Sequence, residues 1–137
     1  MAVVSEIIRV ESDNTLSFGN YLATDKQKFS DFKLGGDIYK IKTHNELTRC
    51  ERNDKMLLET VPGTTIHNFG ILKNKLTFAA EGAGNTQFTI GLEPNSEYQV
   101  FVDDNLVGKT NSGISGKINF GAELNTDLAL KMLIEKV

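Results

Sequence analysis

The chain is a series of short stretches in which apolar and polar residues alternate, each bounded by Gly, Asn, Asp or Pro. A period of two places successive side chains on opposite faces of a strand, so these stretches suit half-buried β-strands and not helices. Leu76, Phe78 and Ala80 share one face of such a run. Phe88, Ile90 and Leu92 repeat the spacing, followed by Tyr98, Val100 and Val102, and then by Ile118, Phe120, Ala122 and Leu124. Polar residues occupy the other face each time, as in a sheet that buries one side. Turn-forming clusters separate the runs: Gly82 to Asn85, Glu93 to Asn95, Asp103 to Asn105, and Asn111 to Gly116. Strands recurring every 8 to 12 residues or so between such turns indicate an all-β, antiparallel β-sandwich.

The first half carries the same rhythm less cleanly. Strands are expected over Val3 to Val10, Thr15 to Tyr21, Phe29 to Leu34, Asp37 to Thr43, Glu46 to Glu51 and Lys55 to Val61. Gly35-Gly36 and Asn53-Asp54 are suited to two-residue hairpin turns, which need positive φ. Val61-Pro62-Gly63-Thr64 fits a type II turn, with Pro at the first central position and Gly at the second. Asp127 to Val137 reads two ways. Leu130, Leu133, Ile134 and Val137 form a helical stripe, whereas Leu128, Leu130, Met132 and Ile134 form a strand face; the uniform β pattern before them favours the strand.

A length of 137 residues supports one hydrophobic core. The formal net charge is -3, and neither half has an excess of cations, so no continuous basic stripe points to nucleic acid or to an anionic membrane. Cys50 is the only cysteine, which excludes an intrachain disulfide and a multi-cysteine metal site. The first ten residues lack a basic segment followed by an apolar one, and no stretch approaches the ~20 apolar residues of a membrane span. A cytoplasmic location is the default expectation, with a cell-surface or assembly-associated one as the alternative.

Gly91 to Val102 reads Gly-Leu-Glu-Pro-Asn-Ser-Glu-Tyr-Gln-Val-Phe-Val. This stretch resembles the corner between two strands of fibronectin type III and immunoglobulin-like sandwiches, where a Leu-x-Pro turn precedes a Tyr whose hydroxyl bonds back to upstream backbone. The matching residues are Leu92, Pro94 and Tyr98. The resemblance implies an immunoglobulin-like sandwich over 62–137 and leaves 1–61 as an additional N-terminal β-meander, as two subdomains meeting at Pro62-Gly63 or as one continuous domain. Four further segments, Ser17 to Tyr21, Gly36 to Thr43, Glu59 to Thr64 and Tyr98 to Asp103, resemble short bacterial proteins of unknown role that carry the label endosialidase. That resemblance implies a sialidase-type hydrolase. Such chemistry uses an arginine cluster and a Tyr nucleophile with an acidic partner, and the arginines here are Arg9, Arg49 and Arg52.

The remaining chemistry-bearing residues fit structural roles. His44 and His67 have no second ligand at metal-binding spacing, so both are expected to be surface or structural residues. Cys50 is expected to be a packed, inert thiol. Asp103, Asp104 and Asn105 could offer oxygen ligands to calcium, but the same residues suit a hairpin turn. A sugar-binding face usually needs exposed aromatics; there is no Trp, and Tyr39 and Tyr98 fall on core faces, leaving Tyr21 and some phenylalanines. No catalytic residue, metal or cofactor is expected.

The reading that follows is a non-catalytic structural or binding protein, a homo-oligomer assembling through edge strands, with Val4, Ile8, Val10, Leu128, Leu130, Met132 and Ile134 as the donated residues. A carbohydrate- or small-ligand-binding module with a glycan or protein partner is the second reading, and a sialidase-type hydrolase the third.

Overall fold

The computed structural model describes residues 3–137. It is an all-β sandwich of two antiparallel sheets, and no helix is long and apolar enough to cross a membrane. The strands are β1 (Ile8–Val10), β2 (Leu16–Phe18), β3 (Gln27–Leu34), β4 (Asp37–Thr43), β5 (Thr48–Arg52), β6 (Lys55–Val61) and β7 (Thr64–Leu72). They continue with β8 (Lys75–Gly82), β9 (Asn85–Gly91), β10 (Glu97–Val102), β11 (Asn105–Asn111), β12 (Lys117–Glu123) and β13 (Leu130–Lys136). One sheet has seven strands in the order β1-β2-β7-β8-β13-β10-β11; the other has six in the order β12-β9-β6-β5-β4-β3.

The N-terminal meander is present as β3 to β6, each strand pairing with the next. It is not a separate unit. β6 pairs with β9 and β2 with β7, so residues on both sides of Pro62-Gly63 build both sheets. The turn at that point also differs from expectation. The Val61-Pro62 bond is cis and Gly63 has no positive φ. Gly63 is needed for a different reason: a Cβ there would lie 1.9 Å from the carbonyl oxygen of His44.

Hairpin chemistry decides several boundaries. Gly35-Gly36, Asn53-Asp54 and Asp103-Asp104 all have positive φ, the geometry of the turns that match strand twist. In Asp103 this turn leaves a carboxylate oxygen to accept the backbone N–H of Lys131 at 3.0 Å, a structural use of the oxygen. The expected N-terminal strand begins late: the Ile7 N–H bonds the Val4 carbonyl at 3.1 Å and Ile7 has φ 74, which breaks the extended run before β1. The last segment is a strand, and β13 lies between β8 and β10.

Apolar residues at alternating positions face inward and form one core. Phenylalanines link its two layers. Phe69 of β7 meets Phe78 of β8 with ring centroids 5.8 Å apart, Phe78 meets Phe88 of the opposite sheet at 6.0 Å, and Phe88 stacks on Phe120 at 5.0 Å. Removing such a buried ring typically costs about 3–5 kcal/mol. At one end the core becomes polar. The Thr43 and Thr48 hydroxyls are 2.8 Å apart, Thr48 donates to the carbonyl of Thr64 at 2.9 Å, and the Thr60 and Thr64 hydroxyls are 2.9 Å apart. All four threonines are fully enclosed, and their mutual bonds offset the desolvation of their hydroxyls.

Candidate functional site

The two sheets part at the end opposite these threonines. The turns after β5, β7, β9 and β11 surround a cleft of about 790 Å³ there, within the range of small-molecule sites. Its floor is apolar: Met56, Leu57, Leu76, Leu92 and Ile134 reach it from four strands or their ends. Its rim is basic: Arg52, Lys55, Lys73, Lys75, Lys117 and Lys136 line it with a single carboxylate, Glu93. Lys136 is bonded to Glu93, which raises its pKa, and Lys75 pairs with Glu135 at 3.4 Å. Among the described residues Arg52, Lys55, Lys73 and Lys117 form no ion pair. Four unneutralised cations over a low-dielectric floor make an anion-attracting field. Ile71 and Leu72 stand at the lip, Leu72 with 67% of its surface exposed, and extend the apolar lining outward.

Tyr98 helps to shape one wall. Its hydroxyl accepts the backbone N–H of Glu93 at 3.1 Å, which ties the strand β10 to the preceding turn and holds Leu92 and Pro94 at the cleft. Ser112 bonds the same turn through its contact with Ser96 and Glu93.

A second polar cluster lies at the far end, on the outer face of the seven-stranded sheet. Glu81 is fully buried; one carboxylate oxygen lies 2.6 Å from His67 Nε2 and the other accepts the Tyr21 hydroxyl at 3.0 Å. His67 and Glu81 share a face because His67 is opposite Ala79 and Thr65 opposite Glu81 in the β7–β8 pairing. The segment from Gly19 to Tyr21 covers them, fixed by the Thr65 hydroxyl to the Gly19 carbonyl at 3.0 Å. Beside this cluster the Ser17 hydroxyl donates to Glu11 at 2.6 Å and, against partial burial and with help from Arg9, holds that carboxyl below its usual range. Burial pushes the Tyr21 phenol up to about 12, and Glu81 adds to the effect. Protonated at neutral pH, the phenol donates the hydrogen bond to Glu81. Glu81 and Leu76 are five residues apart on β8, so this cluster is roughly 17 Å from the cleft floor at 3.4 Å per residue.

Several expected site residues lie elsewhere than expected. Tyr21 is buried within the outer cluster, its hydroxyl on Glu81, and offers no platform for a sugar ring. Phe29 is the exposed aromatic, but it meets Phe32 edge-on at 72°, which gives no flat surface. Of the residues expected on edge strands, Leu130, Met132 and Ile134 sit in β13, hydrogen-bonded on both sides. Leu128 precedes that strand and is exposed, Val4 is buried outside any strand, and Ile8 and Val10 alone belong to an edge strand, β1. Cys50 is enclosed in the core, and burial pushes its thiol up to about 12. His44 is buried at the turn after β4. Among the described residues no group of three or more His, Cys, Asp or Glu side chains could hold a metal ion.

The cleft escaped sequence reading because its cations come from separate turns. Neither Lys55, Lys73 nor Lys117 has a neighbour that marks it as a ligand-binding residue. Glu81 likewise has no local signal, since its partners Tyr21 and His67 are 60 and 14 residues away. No protein-family model matches the chain, nor does any curated protein or solved structure.

Proposed function

We propose that this sandwich is a non-catalytic binding module whose cleft takes a small ligand with an anionic head and an apolar body. The supporting observation is the pairing of an apolar floor with four cations that have no carboxylate partner. A folded chain with 18 acidic and 15 basic residues has carboxylates to spare, yet they are not placed on this rim. The cations instead face solvent across an apolar floor, where a bound anion gains more than it would at an open surface. The apolar body is seated between the sheets and the head group stays at the rim.

Decyl phosphate is a suitable probe. Isothermal titration should give saturable 1:1 binding that weakens with added salt, because exposed charges are screened over about 10 Å at 0.1 M. Decanol and inorganic phosphate should each bind at least tenfold more weakly, since each supplies half of the recognition. The variant Lys73→Glu/Lys117→Glu should lose at least tenfold in affinity. Equal binding of decanol, or an unchanged affinity in the variant, would remove the anionic-head reading.

A further inference from the structure

We infer that the cleft end of the sandwich docks on an anionic lipid bilayer, with Leu72 and Ile114 entering the headgroup region and the rim cations lying against the lipid phosphates. Apart from Val137, these are the two most exposed large apolar side chains among the described residues, at 67% and 92%. They stand on separate turns around one opening. Leu72 ends β7 at the cleft lip, and Ile114 precedes the cleft-lining Ser115 in the crossover from β11 to β12. One exposed apolar side chain is ordinary on a protein surface; two that frame a cation-lined mouth mark an interaction surface.

The fold imposes the exposure of Ile114. Its turn is fixed on either side by the Asn95 N–H to the Gly113 carbonyl at 2.7 Å and the Leu92 N–H to the Gly116 carbonyl at 2.6 Å. Gly113 and Gly116 supply the positive φ that this tight turn requires. A turn pinned in this way keeps an isoleucine in water at a hydrophobic cost that a polar residue would avoid.

Charge decides what covers these side chains. Of the 15 basic residues six line the cleft, whereas of the 18 acidic residues Glu93 alone does. The remaining surface is therefore acidic, and the molecule approaches an anionic surface cleft end first. Arg52, Lys55, Lys73 and Lys117, unpaired among the described residues, surround the apolar tips. That is the arrangement of an interfacial anchor, in which apolar side chains enter the acyl boundary while Lys and Arg meet the phosphates. A second copy meeting this face symmetrically would set one basic rim against the other. No continuous basic stripe marks the surface in the sequence, because its cations come from separate turns. The inference rests on the rim cations of the ligand reading and not on occupancy of the cleft.

Co-sedimentation with vesicles of two parts phosphatidylcholine to one part phosphatidylserine tests this. The protein should bind them, bind pure phosphatidylcholine vesicles at least tenfold more weakly, and dissociate as salt is added. Ile114→Ser should weaken vesicle binding at least fivefold, and because Ile114 does not line the cleft, its decyl phosphate titration should stay unchanged. A polarity-sensitive dye on Ile114→Cys should brighten with the mixed vesicles. The same dye on Leu22→Cys, 66% exposed beside the far-end cluster, should not, and the enclosed Cys50 stays unlabelled. Equal binding to both vesicle types, unchanged binding of Ile114→Ser, or brightening at position 22 would overturn the docking. So would brightening at position 114 with protein concentration in the absence of lipid, which would make a second copy the occupant. Vesicle binding by a protein that ignores decyl phosphate would remove the ligand reading and leave the docking standing; decyl phosphate binding by a protein that ignores vesicles would remove the docking alone.

Discussion

Tyr21→Phe isolates the contribution of the buried cluster that fastens the chain segment after β2 to the outer face of the sandwich. The substitution removes one oxygen and no carbon, so packing is preserved. What is lost is the 3.0 Å bond from the phenol to Glu81, leaving a fully enclosed carboxylate with His67 as its one partner. Hydrogen bonds to charged groups contribute about 1.5–3 kcal/mol, and a buried acceptor left unpaired loses at least that. For 137 residues the unfolding entropy is roughly 0.3 kcal/mol/K, so the melting temperature should fall by about 5–10 °C. Circular dichroism melts would read this, together with urea unfolding at constant slope. The decisive arm repeats the substitution in a Glu81→Leu background, where the phenol has no acceptor and Tyr21→Phe should cost less than ~0.5 kcal/mol. A shift below about 2 °C in the wild type, or the same cost in both backgrounds, would show that the phenol–carboxylate bond does not hold this segment.

Two further expectations concern the whole fold. Burial raises Tyr21 from 10.0 and Cys50 from 9.0, each to about 12, so the unfolded chain releases these protons first as the pH rises. Their contribution is complete below about pH 9 and is lost between roughly pH 9 and 12, at up to about 1.4 kcal/mol per pH unit for each group while only the unfolded form titrates. Urea titrations across that range should show a shallower decline for Cys50→Ala than for the wild type. Gly63→Ala forces a Cβ to within 1.9 Å of the His44 carbonyl and should destabilise the fold by about 2 kcal/mol or more, read as a lower urea midpoint.

The strand pattern was legible where one face is buried against the core and the other meets solvent. Asp37–Thr43 and Lys55–Val61 match their expected bounds because Tyr39 and Ile41, and Leu58 and Thr60, mark the inner side and two-residue turns close the ends. The pattern misled where tertiary contacts override it. Val3 to Val10 alternates well enough for a strand, yet Val4 is buried by a turn that the Gly19 carbonyl anchors at 3.2 Å. The apolar β13 looked like a strand to be donated; it is apolar because it is interior, flanked by β8 and β10. Nothing in local sequence distinguishes these cases, since a strand's neighbours are chosen by long-range pairing. The same applies to the cleft. Lys55, Lys73 and Lys117 are ordinary turn-proximal lysines until two hairpins and the crossover from β11 to β12 bring them to one opening.

The cleft is tested most directly by amide chemical-shift mapping during titration with decyl phosphate. Saturable changes should concentrate on Leu72, Asn74, Gly91 and Ser115, around the opening, and leave Ser17, Thr65 and Glu81 at the far end unmoved. Changes centred on the outer face or spread evenly over both ends, or an absence of saturation, would contradict a ligand site between the sheets.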